Sequence, residues 1–159
     1  MQNVVPRLLF LQPRVEPEQV VVLRDDVPAQ VSSETTRLAA AGVFLGVGFL
    51  DSIWEEYRFS ITEVVADNAS GGGFLLGKQR LSEPLTGRLS LHLNGKLLTE
   101  GPVEVLGDIG ERLSSLSEKV GGLRTGQVVF LGSPVPQLYQ LDPADLNSMA
   151  LGRAYCPRY

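Results

Sequence analysis

Two glutamates stand two positions apart immediately before a β-branched run. Glu16, Pro17 and Glu18 lead into residues 19–23, which are typical of a buried strand. Because side chains two apart on a strand point to the same face, we expect the two carboxylates to lie side by side. Paired oxygen ligands suit Mg²⁺ or Mn²⁺, although a Glu-x-Glu pair more often marks a solvated strand end.

A glycine-rich loop is the second feature that could bind a ligand. Residues 67–73 read Asp-Asn-Ala-Ser-Gly-Gly-Gly. Consecutive glycines let the backbone approach a ligand closely and offer N–H groups to an anion, and the Ser70 hydroxyl could add a donor. A surface turn is the alternative interpretation on local grounds.

The other reactive residue types exclude several classes of site. His92 is the only histidine and Cys156 the only cysteine, so neither a Ser-His-Asp nor a Cys-His arrangement is credible. A single cysteine also excludes an intramolecular disulfide. The glycines of the loop are not followed by a capped helix, which argues against a nucleotide-binding fingerprint.

Composition and charge limit the size and the partners of the chain. The 159 residues are 43% hydrophobic and 20% charged, which predicts one globular domain. The formal net charge of -4 argues against a nucleic-acid partner. The longest apolar stretch, residues 38–50, is too short to span a bilayer, and the start of the sequence does not resemble a signal peptide. We therefore predict a cytoplasmic protein without a membrane partner.

Short strands separated by turn residues predict a β-rich α+β fold. Asn94-Gly95, between two apolar runs, is the strongest local hairpin signal because a type I′ turn needs positive φ at both positions. Asp108 is expected to cap a helix that ends before Gly121, with apolar residues on one face. The other predicted elements are strands at 19–23, 43–50, 57–65 and 127–131 and a short helix at 36–41. The fold would thus contain about two helices.

Several segments, in one order, resemble a known family. The most specific is Val65-Ala66-Asp67-Asn68-Ala69-Ser70-Gly71-Gly72. Further likeness lies in residues 11–18, 24–28, 93–96, 106–107 and 123–133. From about residue 11 to residue 145, the chain resembles the fumarylacetoacetate hydrolase superfamily. It is most similar to the branch that contains the 2-oxopent-4-enoate hydratases and 2-oxo-3-hexenedioate decarboxylases.

The resemblance implies a fold, a reaction class and a set of site residues. The fold would be the mixed β-roll or barrel of the family's C-terminal domain. The reaction would be a hydratase- or decarboxylase-like lyase step on a small 2-oxo or 2-hydroxydienoic acid, with Mg²⁺ or Mn²⁺ polarising the substrate carbonyl. Glu16 and Glu18 would be the metal ligands, and the catalytic residues would be Glu16, Glu18 and Ser70. The substrate would contact Asp67, Ser70, Gly71, Gly132 and Ser133.

Two departures from the family pattern affect these expectations. The family's third metal ligand is a glutamate three residues before the position of Asp51, and Gly48 stands there. Relatives also carry a segment before the barrel, including a lysine thought to act at the site. We therefore expect residues 1–159 to form one domain that lacks this segment.

These departures leave two hypotheses for the function. The first is an active lyase that uses Glu16, Glu18 and a metal, or the two glutamates as a metal-free acid and base. The second is a non-catalytic or repurposed relative that binds a small ligand or a partner subunit. The partner would be a second copy of the chain or a full-length relative, because the family's barrels pack as oligomers.

Overall fold

A computed structural model describes residues 10–81, 86–135 and 138–141 of the chain. The tail after residue 141, which includes Cys156, lies outside the described residues. No helix within the described ranges is long and apolar enough to cross a membrane.

The described residues form a β-rich α+β fold in which a curled, half-barrel sheet is the main element. The strands are β1 (Arg14–Leu23), β2 (Ala40–Leu50), β3 (Gly71–Leu76), β4 (Arg88–Leu93), β5 (Lys96–Pro102), β6 (Val128–Phe130) and β7 (Tyr139–Gln140). The helices are α1 (Ser33–Leu38), α2 (Ile61–Ala66) and α3 (Ile109–Val120). Short 3₁₀ turns lie at Glu55–Tyr57, Asn68–Ser70 and Val103–Leu106.

The main sheet has the strand order β3-β2-β1-β6, and β7 pairs with the start of β1. Strands β1 and β2 are antiparallel along almost their whole length, with Glu16 opposite Gly48 and Glu18 opposite Gly46. Facing residues in such a pair share one side of the sheet. We call the side of Glu16, Glu18, Gly46 and Gly48 the site face and the opposite side the core face.

The core face carries most of the buried apolar surface. Helix α3 packs there through Leu113 against Val21, and the separate β4–β5 hairpin packs through Leu91 against Val15. These four side chains are at most 6% exposed, and full burial of each contributes about 1.5–3 kcal/mol. With the helix and the hairpin on the core face, the polar residues of β1 project to the site face.

Local signals explain where the helices begin and end. Asp108 accepts a hydrogen bond from the Glu111 amide and caps α3, as the sequence predicts, and Gly121 ends it at φ +77°. Ser32 caps α1, which begins earlier than the predicted 36–41. Helices α1 and α3 approach closely because Gly110 has no side chain and a Cβ there would overlap the Ser33 carbonyl oxygen.

Two sequence predictions are wrong in this region. The predicted strand at 57–65 is a turn followed by α2, because Ser60 and Glu63 form a capping box with reciprocal hydrogen bonds. The described residues accordingly contain three α-helices, one more than the two or so predicted. The glycines predicted as part of a loop begin β3, which pairs with β2 from Gly71 opposite Leu50.

Candidate functional site

The two glutamates of β1 lie side by side on the site face. Glu18 is only 7% exposed, and Glu16 is half-buried next to it. None of the ion pairs found among the described residues involves either of them. A pair of adjacent carboxylates without a cationic partner is electrostatically unfavourable when both are ionised, so the site favours a bound cation or a bound proton.

The loop after β6 contacts these glutamates. The Gly132 amide donates a hydrogen bond to Oε2 of Glu18 at 3.0 Å, from a residue with φ +97° that favours glycine. The Ser133 hydroxyl donates to the Pro17 carbonyl at 2.8 Å, which fastens the loop to β1 between the two carboxylates. The structure therefore brings Glu16, Glu18, Gly132 and Ser133 together.

Burial and mutual repulsion change the acidity of the pair. Desolvation first, and then the charge of Glu16, raise the pKa of Glu18 from its usual 4.5 to about 7, against the opposing hydrogen bond from Gly132. Burial also raises the pKa of Glu16, and a hydrogen bond with the Ser133 side chain opposes that shift. Near neutral pH, Glu18 can thus hold or release a proton, or exchange it for a metal ion.

Gly48 determines where the Glu18 carboxylate lies. A Cβ added at Gly48 would be 2.5 Å from Oε1 of Glu18 and 3.4 Å from Cγ of Glu16. Glu18 therefore leans along the strand into the space that any side chain at position 48 would need. Because position 48 is a glycine, Glu16 and Glu18 are the acidic side chains at this point of the site face.

Asp67 organises a second polar cluster. Its Oδ2 accepts hydrogen bonds from the hydroxyl groups of Ser52, at 3.2 Å, and Ser70, at 3.0 Å, and from the Ile53 amide, at 3.3 Å. Ser70 is 3% exposed. Its backbone has φ +58°, and Asn68 and Ala69 before it also have positive φ. Three successive non-glycine residues in the left-handed region store strain, which is common at functional sites.

Asp51 fastens this cluster to the sheet. Its amide donates to the Ser70 carbonyl at 2.7 Å, where β2 ends. Its carboxylate accepts hydrogen bonds from the amides of Leu11 and Gln12 at 2.7–3.0 Å. Asp51 thus anchors the chain that enters β1.

The glutamates could hold a hard divalent cation only as a two-carboxylate site. Within the described residues, no group of three or more His, Cys, Asp or Glu side chains could bind a metal ion. Magnesium is commonly bound by one or two carboxylates, with water or substrate oxygens completing its shell. The uncompensated charge of Glu16 and Glu18 fits such a site, and Gly48 leaves it without a third side-chain ligand.

Two phenylalanines on the site face were missed by the sequence analysis. The rings of Phe74, from β3, and Phe130, from β6, meet edge to face with their centroids 5.1 Å apart. They come from the two outer strands, and the Phe130 ring lies over Gly46, where a Cβ would be 2.5 Å from Cγ2 of Val20 and 2.8 Å from Cε1 of Phe130. The available signal was the alternation of Gly46 and Gly48 with apolar residues, which marks a close approach over the strand.

Parts of this chain are similar in sequence to known proteins. No protein-family model matches the sequence. The chain is 34% identical over 68 residues to a 4-oxalocrotonate decarboxylase from Pseudomonas sp., which covers 43% of this chain and 27% of that protein. It is 32% identical over 97 residues to a 2-hydroxypent-2,4-dienoate hydratase from Pseudomonas putida, covering 58% and 44%. The chain therefore spans less than half the length of these two relatives.

A solved structure shows the same fold. The 4-oxalocrotonate decarboxylase from Pseudomonas putida G7, complexed with magnesium and adipate, superimposes with a TM-score of 0.74 at 23% identity, covering 84% of this chain and 54% of that one. At this identity the match establishes the fold. Together the comparisons confirm the predicted resemblance to the hydratase and decarboxylase branch and the predicted β-rich α+β fold.

Proposed function

We propose that this chain carries the metal- and acid-binding site of a hydratase- or decarboxylase-like lyase acting on small 2-oxo or 2-hydroxydienoic acids. The observation that carries the proposal is the uncompensated pair of Glu16 and Glu18 on the site face. Its support from relatives is that one solved 4-oxalocrotonate decarboxylase structure holds magnesium with adipate and another holds calcium with acetate. Each combines a divalent cation with a carboxylic acid.

Glu16 and Glu18 would hold Mg²⁺ or Mn²⁺. When bound, the cation would supply Lewis acidity toward the carbonyl of a 2-oxo acid. The Gly132 amide fixes the orientation of the Glu18 carboxylate, and Ser133 holds the loop that carries this amide. Because Gly48 contributes no ligand, more of the shell remains for water and for the oxygens of the acid.

The second polar cluster would bind the carboxylate of the substrate. Ser70 would donate its hydroxyl, and Gly71 would contribute backbone to the same loop. Asp67 accepts the single O–H of Ser70 in this structure, so the hydroxyl would rotate away from Asp67 to donate to the acid.

A calorimetric titration with Mn²⁺, with and without oxalate, tests the metal site. We expect micromolar Mn²⁺ binding that oxalate strengthens and that Glu16→Gln and Glu18→Gln each weaken by at least about tenfold. Glu118→Gln, at an exposed position of α3, removes the same charge and should leave binding unchanged. A folded protein that binds no Mn²⁺ under these conditions would contradict the metal-dependent proposal. If that protein nevertheless turned over 2-hydroxydienoic acids, the glutamates would act as a metal-free acid and base.

An exposed apolar helix favours a second candidate, in which the chain also binds a partner of its own kind. Helix α2 has no buried residue, and its Ile61 and Val65 are 79% and 71% exposed on one helical face. Apolar side chains grouped in this way are typical of protein interfaces. Light scattering after gel filtration should report a dimer or larger species that Ile61→Ser together with Val65→Ser dissociates. A monomer at high micromolar concentration would refute it.

A further inference from the structure

The aromatic pair of Phe74 and Phe130 lies on the same side of the sheet as the glutamates. Val20, Glu18 and Glu16 alternate along β1 on the site face, and Phe130 pairs with Val20 while Phe74 pairs with Gly48 across β2. The two rings reach toward each other across the two central strands. Phe74 is 60% exposed despite this contact, so its ring borders open space.

Two glycines make the floor between the rings and the carboxylates. Gly48 lies under the Glu18 carboxylate and Gly46 under the Phe130 ring. Residues two apart on a strand are separated by about 7 Å. A chain of five or six carbon atoms, with bonds of about 1.5 Å, spans this distance. An acid whose head group is held at the glutamates would therefore place its tail against the rings.

We propose that Phe74 and Phe130 form the tail subsite of this site and select acids with an uncharged, apolar or unsaturated tail over acids with a second carboxylate. The inference rests on the proposed function, because the head of the acid must lie at Glu16 and Glu18. Contact between an aromatic ring and a conjugated or aliphatic tail is energetically favourable. A carboxylate moved from water to the same surface would lose its hydration without gaining a partner.

The charge of the two glutamates favours the same choice. Both glutamates repel a second negative charge on the site face. Arg14 is on this face but at the far, glutamate end, where its guanidinium stacks on a tyrosine ring at 3.8 Å. Arg80 crosses Gly42, which is four residues and about 14 Å along β2 from Gly46. Arg112, from α3, lines a cavity that Phe130 also borders, and it donates a hydrogen bond to the Leu106 carbonyl.

Three probe acids distinguish the contribution of the head group to binding from that of the tail. Oxalate carries the head group alone, 2-oxohexanoate adds an uncharged tail, and 2-oxohexanedioate has the same chain ending in a carboxylate. Calorimetric titrations of the full chain in saturating Mn²⁺ would give the three dissociation constants. We expect 2-oxohexanoate to bind at least about tenfold more tightly than 2-oxohexanedioate.

Substitutions of Phe74 test whether its ring causes the preference for an uncharged tail. Phe74→Ala should reduce the preference to within about threefold, and Phe74→Leu should retain most of it, because leucine keeps the apolar contact. Leu97→Ala, at a 45% exposed apolar position of the separate hairpin, is the matched control and should leave the preference intact. Circular dichroism confirms that each variant is folded, and the high exposure of Phe74 makes its replacement tolerable.

The outcomes distinguish this inference from the proposed function. Tighter or equal binding of the dicarboxylate, or an unchanged preference in folded Phe74→Ala, overturns the tail subsite while oxalate binding still supports the metal site. Loss of all binding, oxalate included, refutes the proposed function and the tail subsite with it. The expected preference, lost only when the ring is removed, supports both.

Discussion

Replacing Gly48 by glutamate tests whether this position can supply a third carboxylate beside Glu16 and Glu18. The resemblance places the family's third metal ligand at this position, and the structure places it opposite Glu16 on the site face. A Cβ there would be 2.5 Å from Oε1 of Glu18. The Glu18 carboxylate is the free end of a flexible side chain, so it can rotate away without moving the backbone.

The expected gain in affinity follows from the added charge. A carboxylate about 4 Å from a cation contributes about 4 kcal/mol per unit charge at an effective dielectric of 20. Repulsion from Glu16 and Glu18 and the loss of hydration offset part of this attraction. We therefore expect Gly48→Glu to bind Mn²⁺ about 10- to 100-fold more tightly than the natural chain, or about 1.4–2.8 kcal/mol.

Without metal the same substitution should destabilise the fold. When the Glu18 carboxylate rotates away it loses the bond from the Gly132 amide, and a hydrogen bond to a charged group contributes about 1.5–3 kcal/mol. Gly48→Ala should show this loss alone, because alanine adds the Cβ without a ligand. Urea unfolding of both variants, with and without Mn²⁺, separates the steric cost from the gain on binding.

Gly73→Glu is the control for added charge. Gly73 lies on the neighbouring strand β3 with open space at its Cβ position, so a glutamate fits there without displacing Glu18. It should change Mn²⁺ affinity much less than Gly48→Glu. Unchanged affinity in folded Gly48→Glu, or an equal gain in Gly73→Glu, would refute the assignment of position 48.

Three further predictions concern acidity and stability. Because the pKa of Glu18 rises from 4.5 in the unfolded chain to about 7, the folded state binds more protons. The metal-free chain should therefore lose about 3 kcal/mol of stability between about pH 4.5 and pH 7, and urea unfolding should show a clearly smaller loss in Glu18→Gln, where only the raised pKa of Glu16 remains. Asp67→Asn should lower the free energy of unfolding by about 1–3 kcal/mol, since it weakens three hydrogen bonds; an unchanged melting temperature would contradict this. Gly110→Ala should cost about 1–3 kcal/mol because its Cβ would overlap the Ser33 carbonyl, whereas Gly73→Ala, in open space, should be close to neutral in the same thermal scan.

The sequence predicts the parts of this fold that local signals determine. The β-branched run before Leu23 is a buried strand, and Asn94-Gly95 forms the turn between β4 and β5. Asp108 and Gly121 define the ends of α3 to the residue. In each case one residue type satisfies a backbone requirement that few others can meet, so the pattern is nearly unambiguous.

The failures occur where two local signals compete. The strand-forming residues between Tyr57 and Val65 favour a strand, but the capping box of Ser60 and Glu63 starts a helix in the middle of them. The glycines from Gly71 onward favour a loop on propensity alone. Pairing with β2 over several residues outweighs that preference, and sequence patterns do not reveal which strand will be a neighbour.

The residues of the site also differ in how far the sequence alone predicts their arrangement. Spacing alone predicts that Glu16 and Glu18 share a face, and they do. Only the resemblance links them to Gly132 and Ser133, more than a hundred residues away, and the structure brings these residues into contact. Their roles in chemistry stay predictions until metal and ligand binding are measured.

The contact of Phe74 with Phe130 had no comparable signal, because it depends on strand order and on the curl of the sheet. It also depends on Gly46, since any larger residue would push the Phe130 ring off the strand. Gly46 and Gly48 act differently on the same face: Gly46 leaves room for the Phe130 ring, and Gly48 leaves room for the Glu18 carboxylate. A site with fewer fixed ligands and a larger apolar wall would depend on the bound acid to complete the metal shell. Metal affinity and tail preference should therefore be coupled, with 2-oxohexanoate strengthening Mn²⁺ binding more than 2-oxohexanedioate does.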